Sequence, residues 1–190
     1  MTANRESQAL IFENTMFRVV ATSKGLAMQL FSKFFGKPPI LELTLKPKVG
    51  VGPLLLGMTK ADAIAAMKAN RQDLSSTAHG HLYFLDNSIQ IEFEPEGTSS
   101  FIGVAPHAGL RLVFQGIDLF DHDASEIFAL FQQNENDETI WAEQYEHVFP
   151  KQIVTVWDAD AQYDLNGGHR PVWGQIGVGS SAYLSADGAQ

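Results

Sequence analysis

The densest group of ionisable side chains in this sequence comes late. Asp158, Asp160, Asp164, His169 and Arg170 fall within the stretch DADAQYDLNGGHRP, between Trp157 and Trp173. Carboxylates beside an imidazole and a guanidinium can carry out general acid–base work. If the chain is an enzyme, a small hydrolase or ligand-binding enzyme, its catalytic residues are expected to be Asp158, Asp160, His169 and Arg170 in this 158–170 loop. The same aspartates do not make a calcium loop, because Tyr163 stands where the sixth-position glycine belongs and no glutamate follows at the twelfth.

Other chemistries are poorly served. His79 and His81 are weak metal candidates: a strand would turn both imidazoles to one face, but two ligands do not complete a zinc site, and His107, His122 and His147 are scattered. No metal and no cofactor is expected. Gly50-Val51-Gly52 lacks the Lys-Ser/Thr of a phosphate loop, and GQIGVG at 174–179 has no helix pattern after it, as a dinucleotide site requires. The G-x-S-x-G nucleophile elbow does not occur. The chain has no cysteine, which removes disulfides, thiol nucleophiles and thiolate metal sites.

Charge divides the chain. Residues 1–50 carry 7 Lys/Arg against 3 Asp/Glu, whereas 51–190 carry 6 against 19, so a +4 segment precedes a −13 one within a net charge of −9. A strongly acidic body repels nucleic acid and favours a basic protein partner. The residues expected to meet that partner are Glu92, Glu94, Asp158, Asp160, Asp164 and Trp173.

The elements that must position these groups read as an α+β fold, mainly antiparallel sheet with short helices. Residues 1–48 form a basic arm with a short amphipathic helix over 24–35 and a strand over 40–45, 49–184 an acidic body, and 185–190 a mobile tail. The segment 49–70, VGVGPLLLGMTKADAIAAMKAN, opens the body: a glycine-proline entry, a turn at Gly57, and a helix capped by Thr59 with Asp62 as its acidic partner. Ile64 and Met67 are its expected core residues. A polar linker over 71–78 precedes GHLYFLDN and SIQIEFEPEG, two strands with a two-residue turn at Asp86–Asn87. Ile89, Ile91 and Phe93 alternate with Gln90, Glu92 and Glu94, so the glutamates line the outer face. Strands follow at 101–105 and 110–114, the latter also readable as the lead-in to a helix. Asp123 caps a second helix over 124–131, making GIDLFDHDASEIFALF an echo of LLLGMTKADAIAAM and suggesting an α-β-β internal duplication. Within 139–149, Trp141, Tyr145 and Val148 or Phe149 have helical spacing with Pro150 as a stop, and strands at 153–157 and 172–178 close the body. No window reaches the length of a membrane-spanning helix, the opening MTANRESQALIFENTMF lacks the pattern of a secretory leader, and the cytoplasm is the expected compartment.

The segment GPLLLGMTKADAIAAM resembles the "LGM(S/T) plus short helix" start of many small bacterial proteins. GIDLFD, with a final strand ending near QIGVG, is similar to the subset believed to be immunity or toxin-neighbour proteins. The resemblance implies a non-catalytic acidic binding module, an immunity-type inhibitor of a basic bacterial toxin. It transfers no functional residue, because the matched positions are turns and core. A third reading is a structural or oligomerisation module, a homodimer held through Leu26, Leu30 and Phe34.

Overall fold

Two hairpin-rich halves build the structure, a computed structural model that describes residues 39–135, 141–142 and 145–187. The chain divides into two units, Met1–Pro39 and Ile40–Gln190. The expected arm helix with Leu26, Leu30 and Phe34 lies outside the described residues.

The second unit opens with β1 (Leu41–Lys46), whose alternating LELTLK buries Leu43 and Leu45. By sequence this strand ends the arm; in the structure it is the middle strand of a sheet of the body. It pairs antiparallel with β2 (Gly50–Val51), which continues to β3 (Leu54–Leu55), and parallel with β8 (Leu110–Phe114), which turns back through β9 (Ile117–Asp118). The pair β1–β8 is the one parallel ladder among the described residues. The second sheet has eight strands, β4 (Leu74–Ala78), β5 (His81–Phe84), β6 (Ile89–Phe93), β7 (Ser99–Val104), β10 (Trp141–Ala142), β11 (Glu146–Phe149), β12 (Val154–Asp160) and β13 (Val172–Gly179), in the order β10-β11-β12-β13-β7-β6-β5-β4.

Two helices precede the two runs of strands. In α1 (Lys60–Ala69), the Thr59 hydroxyl accepts the Asp62 N–H at 3.2 Å and donates to the Asp62 carboxylate at 2.7 Å. Met67 and Ala63 are its buried residues, while Ile64 packs at the edge of the core. In α2 (Ala124–Gln132), the Asp123 carboxylate accepts the Ser125 N–H and hydroxyl, and those bonds hold its pKa below the usual carboxylate value. Ile127 and Phe131 point into the core, where Phe131 stacks on Phe114 at 5.1 Å and meets Phe149 at 5.4 Å. Residues of both sheets, α1 and α2 form one contiguous apolar core.

The repeat is longer than an α-β-β unit. Each half runs strand, short-strand segment (β2 and β3 in the first, β9 alone in the second), helix, then a four-stranded antiparallel meander, and the meanders join where β7 pairs with β13. Equivalent positions carry related residues: Leu43 and Leu112, Met67 and Phe131, Phe84 and Phe149, Ile91 and Val156. FIGV at 101–104 and QIGV at 175–178 share three residues in matching register.

Local expectations are corrected at several points. The described residues of this stretch form two strands, Trp141–Ala142 and Glu146–Phe149, rather than a helix: Glu146 to Phe149 pair with Trp157 to Val154, which buries Phe149 in the core and sets the half-buried His147 ring against Phe128 and Trp173. The supposed linker contains β4, an edge strand exposed along its length. The two-residue hairpin turn is His79–Gly80, with φ of 51° and 85°, joining Ala78 to His81. The next turn spans 85–88, where Leu85, Asp86 and Asn87 all have positive φ and the Ser88 N–H donates to the Leu85 carbonyl. At the end of the chain, α3 (Ser181–Asp187) takes in the first residues of the expected mobile tail.

Candidate functional site

The large sheet has one face on the core and a second face turned away from it. Register fixes what the second face shows. Val148, Thr155, Gly177, Gly103, Gln90 and Tyr83 form one row across six strands. Beside it run Glu146, Trp157 and Gln175, directly paired on β11, β12 and β13. On the other side, Glu92 pairs with Phe101, which pairs with Gly179. The glycines let large side chains lie flat on the sheet: a Cβ at Gly177 would run into the Phe101 ring, and one at Gly103 would stand 2.7 Å from the Gln175 Nε2. Tyr183 of α3 stacks on Phe101 at 4.6 Å.

The result is a concavity of about 450 Å³ with Glu92, Glu146, Trp157, Gln175, Phe101 and Tyr183 among its walls. Among the described residues that line it there is no Lys, Arg or His. The Gln90 Nε2 donates to the Glu92 carboxylate at 2.7 Å, and the Gln175 Nε2 reaches the Gln90 Oε1 at 3.5 Å. The Gln90 amide is thus directed at Glu92 and the Gln175 amide at Gln90. Trp157 is 43% exposed, unusual for so large an apolar surface.

Local hydrogen bonds engage each aspartate of the late loop. Its three aspartates hold the loop in shape. Asp164, nearly buried, accepts the N–H groups of Asn166, His169 and Arg170 and the Arg170 Nη2 at 3.2 Å, and these bonds keep its pKa far below the ordinary carboxylate value. Arg170 completes a clamp by donating Nη1 to the Asp121 carbonyl at 2.6 Å, its own pKa raised chiefly by Asp164. Asp158, at φ 49° within β12, accepts the Tyr163 hydroxyl at 2.6 Å, which with burial pushes the phenol up to about 12. Asp160 caps the short 3-10 turn Ala161–Tyr163 by accepting the Gln162 N–H at 2.8 Å. Among the described residues, no hydrogen bond joins the His169 ring to Asp158 or Asp160.

Trp173 belongs to the core: it is 6% exposed, donates its indole N–H to the Ala124 carbonyl at 2.9 Å, and meets His147 edge-on. Glu94 follows β6 and its N–H donates to the Thr98 carbonyl in the turn. His79 and His81 occupy a turn and the strand after it, so they do not share a strand face, and no group of three metal-ligating side chains occurs among the described residues. No described helix is long and apolar enough to cross a membrane. A second cavity of about 330 Å³ contains Arg111, but its guanidinium is bracketed by Glu42 at 3.1 Å and Asp118 at 2.9 Å.

Comparison with known proteins adds no constraint: no family model, no curated protein and no solved structure matches the chain. The site therefore rests on its geometry. Of the residues expected to meet a partner, Glu92 is on the concave face. Glu146, Trp157 and Gln175 were hidden by the helical reading of 139–149 and by attention to the loop beyond. The alternation in VTVW at 154–157 was the available signal.

Proposed function

We propose that this protein is an acidic binding module that presents the second face of its large sheet to a basic protein, in the manner of an immunity-type inhibitor of a bacterial toxin. The observation that carries the reading is the Glu92–Glu146 concavity, a hollow with acidic and aromatic walls on a stretch, 51–190, of strongly negative charge. Carboxylates around exposed aromatic surface give a basic partner fast, charge-steered association and an apolar contact to retain it. The three aspartates of the late loop, each engaged in local hydrogen bonds, favour this over the hydrolase reading.

The test is a pull-down with the product of the adjacent gene at increasing salt. Association that weakens with salt, and that is lost in a Glu92→Lys/Glu146→Lys double variant of unchanged melting temperature, is the expected result. Association indifferent to both salt and charge reversal overturns the proposal, as does its complete absence at low salt.

A further inference from the structure

Asn166 is the one asparagine of the chain that precedes a glycine. A glycine there leaves the asparagine side chain open to attack by the following backbone nitrogen, because no Cβ hinders the approach. Whether a folded chain permits the attack depends on what holds that nitrogen. After Asn70, Asn87 and Asn134 the next N–H is engaged: Arg71 donates to the Lys68 carbonyl at 2.9 Å, Ser88 to that of Leu85 at 2.9 Å and Glu135 to that of Gln132 at 3.0 Å. The late loop treats Gly167 differently. Asp164 gathers the N–H groups of Asn166, His169 and Arg170 on its carboxylate and that of Gly168 on its carbonyl, and among the described residues the Gly167 N–H makes no hydrogen bond.

We propose that Asn166 is a site of spontaneous self-modification, where the Gly167 nitrogen attacks the Asn166 Cγ and converts residue 166 to aspartate and isoaspartate. Both residues are exposed, and Gly167 holds φ of 145°, a backbone state that glycine adopts without strain. Water is the sole co-reactant. The N–Cγ bond forms as the Cγ–Nδ2 bond breaks, and the Gly167 amide proton departs with Nδ2 as ammonia. Water then opens the cyclic succinimide, giving aspartate when it attacks Cγ and isoaspartate when it attacks the backbone carbonyl; nothing is oxidised or reduced.

The departing nitrogen is also a tether. Asn166 Nδ2 donates to the Asp121 Oδ1 at 2.8 Å, joining the late loop to the segment ahead of α2. Ring closure removes that donor, and hydrolysis leaves a carboxylate facing the one it used to bond. Arg170 does not offset this, since its Nη2 is 3.2 Å from Asp164 and 3.7 Å from Asp121. The modification turns an attraction into a repulsion and loosens the loop from Asp121, whatever the concave face binds.

The full-length protein would be aged in mildly alkaline buffer, native and in concentrated urea, and followed by peptide mass mapping. In the native protein the Asn166 peptide should convert to separate aspartyl and isoaspartyl products, within about ten-fold of its rate in urea, while the peptides of Asn70, Asn87 and Asn134 stay intact. Asn166→Gln, whose longer side chain closes the ring poorly, should leave the 166 peptide unchanged. A 166 peptide that converts in urea and persists in the native protein overturns the proposal, as does conversion to aspartate without isoaspartate, the mark of direct hydrolysis. The loosening is read separately: Asn166→Asp should lower the melting temperature, and Asp121→Asn added to it should restore most of the loss. No loss, or a loss that Asp121→Asn leaves in place, overturns the tether.

Discussion

Gly103 and Gly177 sit opposite each other in the β7–β13 ladder, and each is roofed by a side chain from the other's strand: Phe101 of β7 lies over Gly177, and Gln175 of β13 lies over Gly103. The exchange is reciprocal in position and unequal in chemistry. An aromatic ring covers one glycine and an amide covers the other.

That inequality sets the first prediction. Gly177→Ala must displace the Phe101 ring, which is itself stacked on Tyr183, and should destabilise the protein by about 1–3 kcal/mol in urea unfolding. Gly103→Ala meets the far end of a flexible glutamine at 2.7 Å and the edge of the Phe101 ring less closely, at 2.9 Å, and should cost less. Equal effects of the two substitutions would falsify the account of the roofing.

Glu135 is a buried carboxylate just beyond the end of α2. It accepts the N–H groups of Lys151 and Gln152 at 3.0 and 2.9 Å, and the Gln152 amide at 3.1 Å, while that same amide nitrogen donates to the Phe131 carbonyl at the end of α2. Glu135→Ala orphans these donors, at about 1–3 kcal/mol for each one left buried. Urea titration should show a shifted midpoint with an unchanged slope; a midpoint at the parent value would mean the network holds nothing.

His147 gives a pH signature. Its ring lies edge-on to Phe128 at 5.2 Å and to Trp173 at 5.7 Å, and burial lowers its pKa below the ordinary imidazole value. The unfolded chain then binds the proton more readily, so this residue's contribution to stability is complete above about pH 6.5 and declines as pH falls toward the folded pKa. His147→Leu, matching Leu82 at the equivalent position of the first half, should flatten the stability profile just below pH ~6.5. Parallel profiles for parent and variant would show that the ring titrates as it does in water.

Asp164 behaves with the opposite sign. Its folded pKa is depressed by N–H donors from Asn166 and His169 and by Arg170, so the stabilisation is present above the unfolded carboxylate pKa of about 4 and is lost as acid protonates the folded form. Asp164→Asn should lower the melting temperature at neutral pH and leave little difference from the parent in strong acid. A constant gap across the acid range would point to lost packing in place of lost charge.

Much of the fold is legible in the chain because its signals are local. Thr59 and Asp123 announce two helices through side chains that accept first-turn N–H groups, and the alternation in ILELTL and IQIEF yields strands with the correct inner faces. Failures occur where an interaction between distant residues decides. Aromatic spacing at Trp141, Tyr145 and Phe149 mimics a helix, but pairing with β12 and the core contact of His147 favour a strand. A glycine between His79 and His81 could stand in a strand or a turn, and the pairing of Ala78 with His81 makes it a turn. The concave face was only half legible: Glu92 follows from alternation on β6, but the nearness of Gln175 to Gln90 depends on β13 crossing to β7 from the far end of the chain. The repeat was visible in FIGV and QIGV, though the long excursion at 160–171 obscures the spacing that would align them.

A dimer of identical halves would be bound to show the same residue twice about its axis. Here the two halves share one chain, and the positions of Glu92 and Phe101 in the first are held by Trp157 and Gln175 in the second. The backbone keeps a near-symmetric frame while the surface at its centre is lopsided. Such a frame can meet a partner that has no symmetry of its own, in one orientation, and either half can change its side of the contact without asking the other to follow.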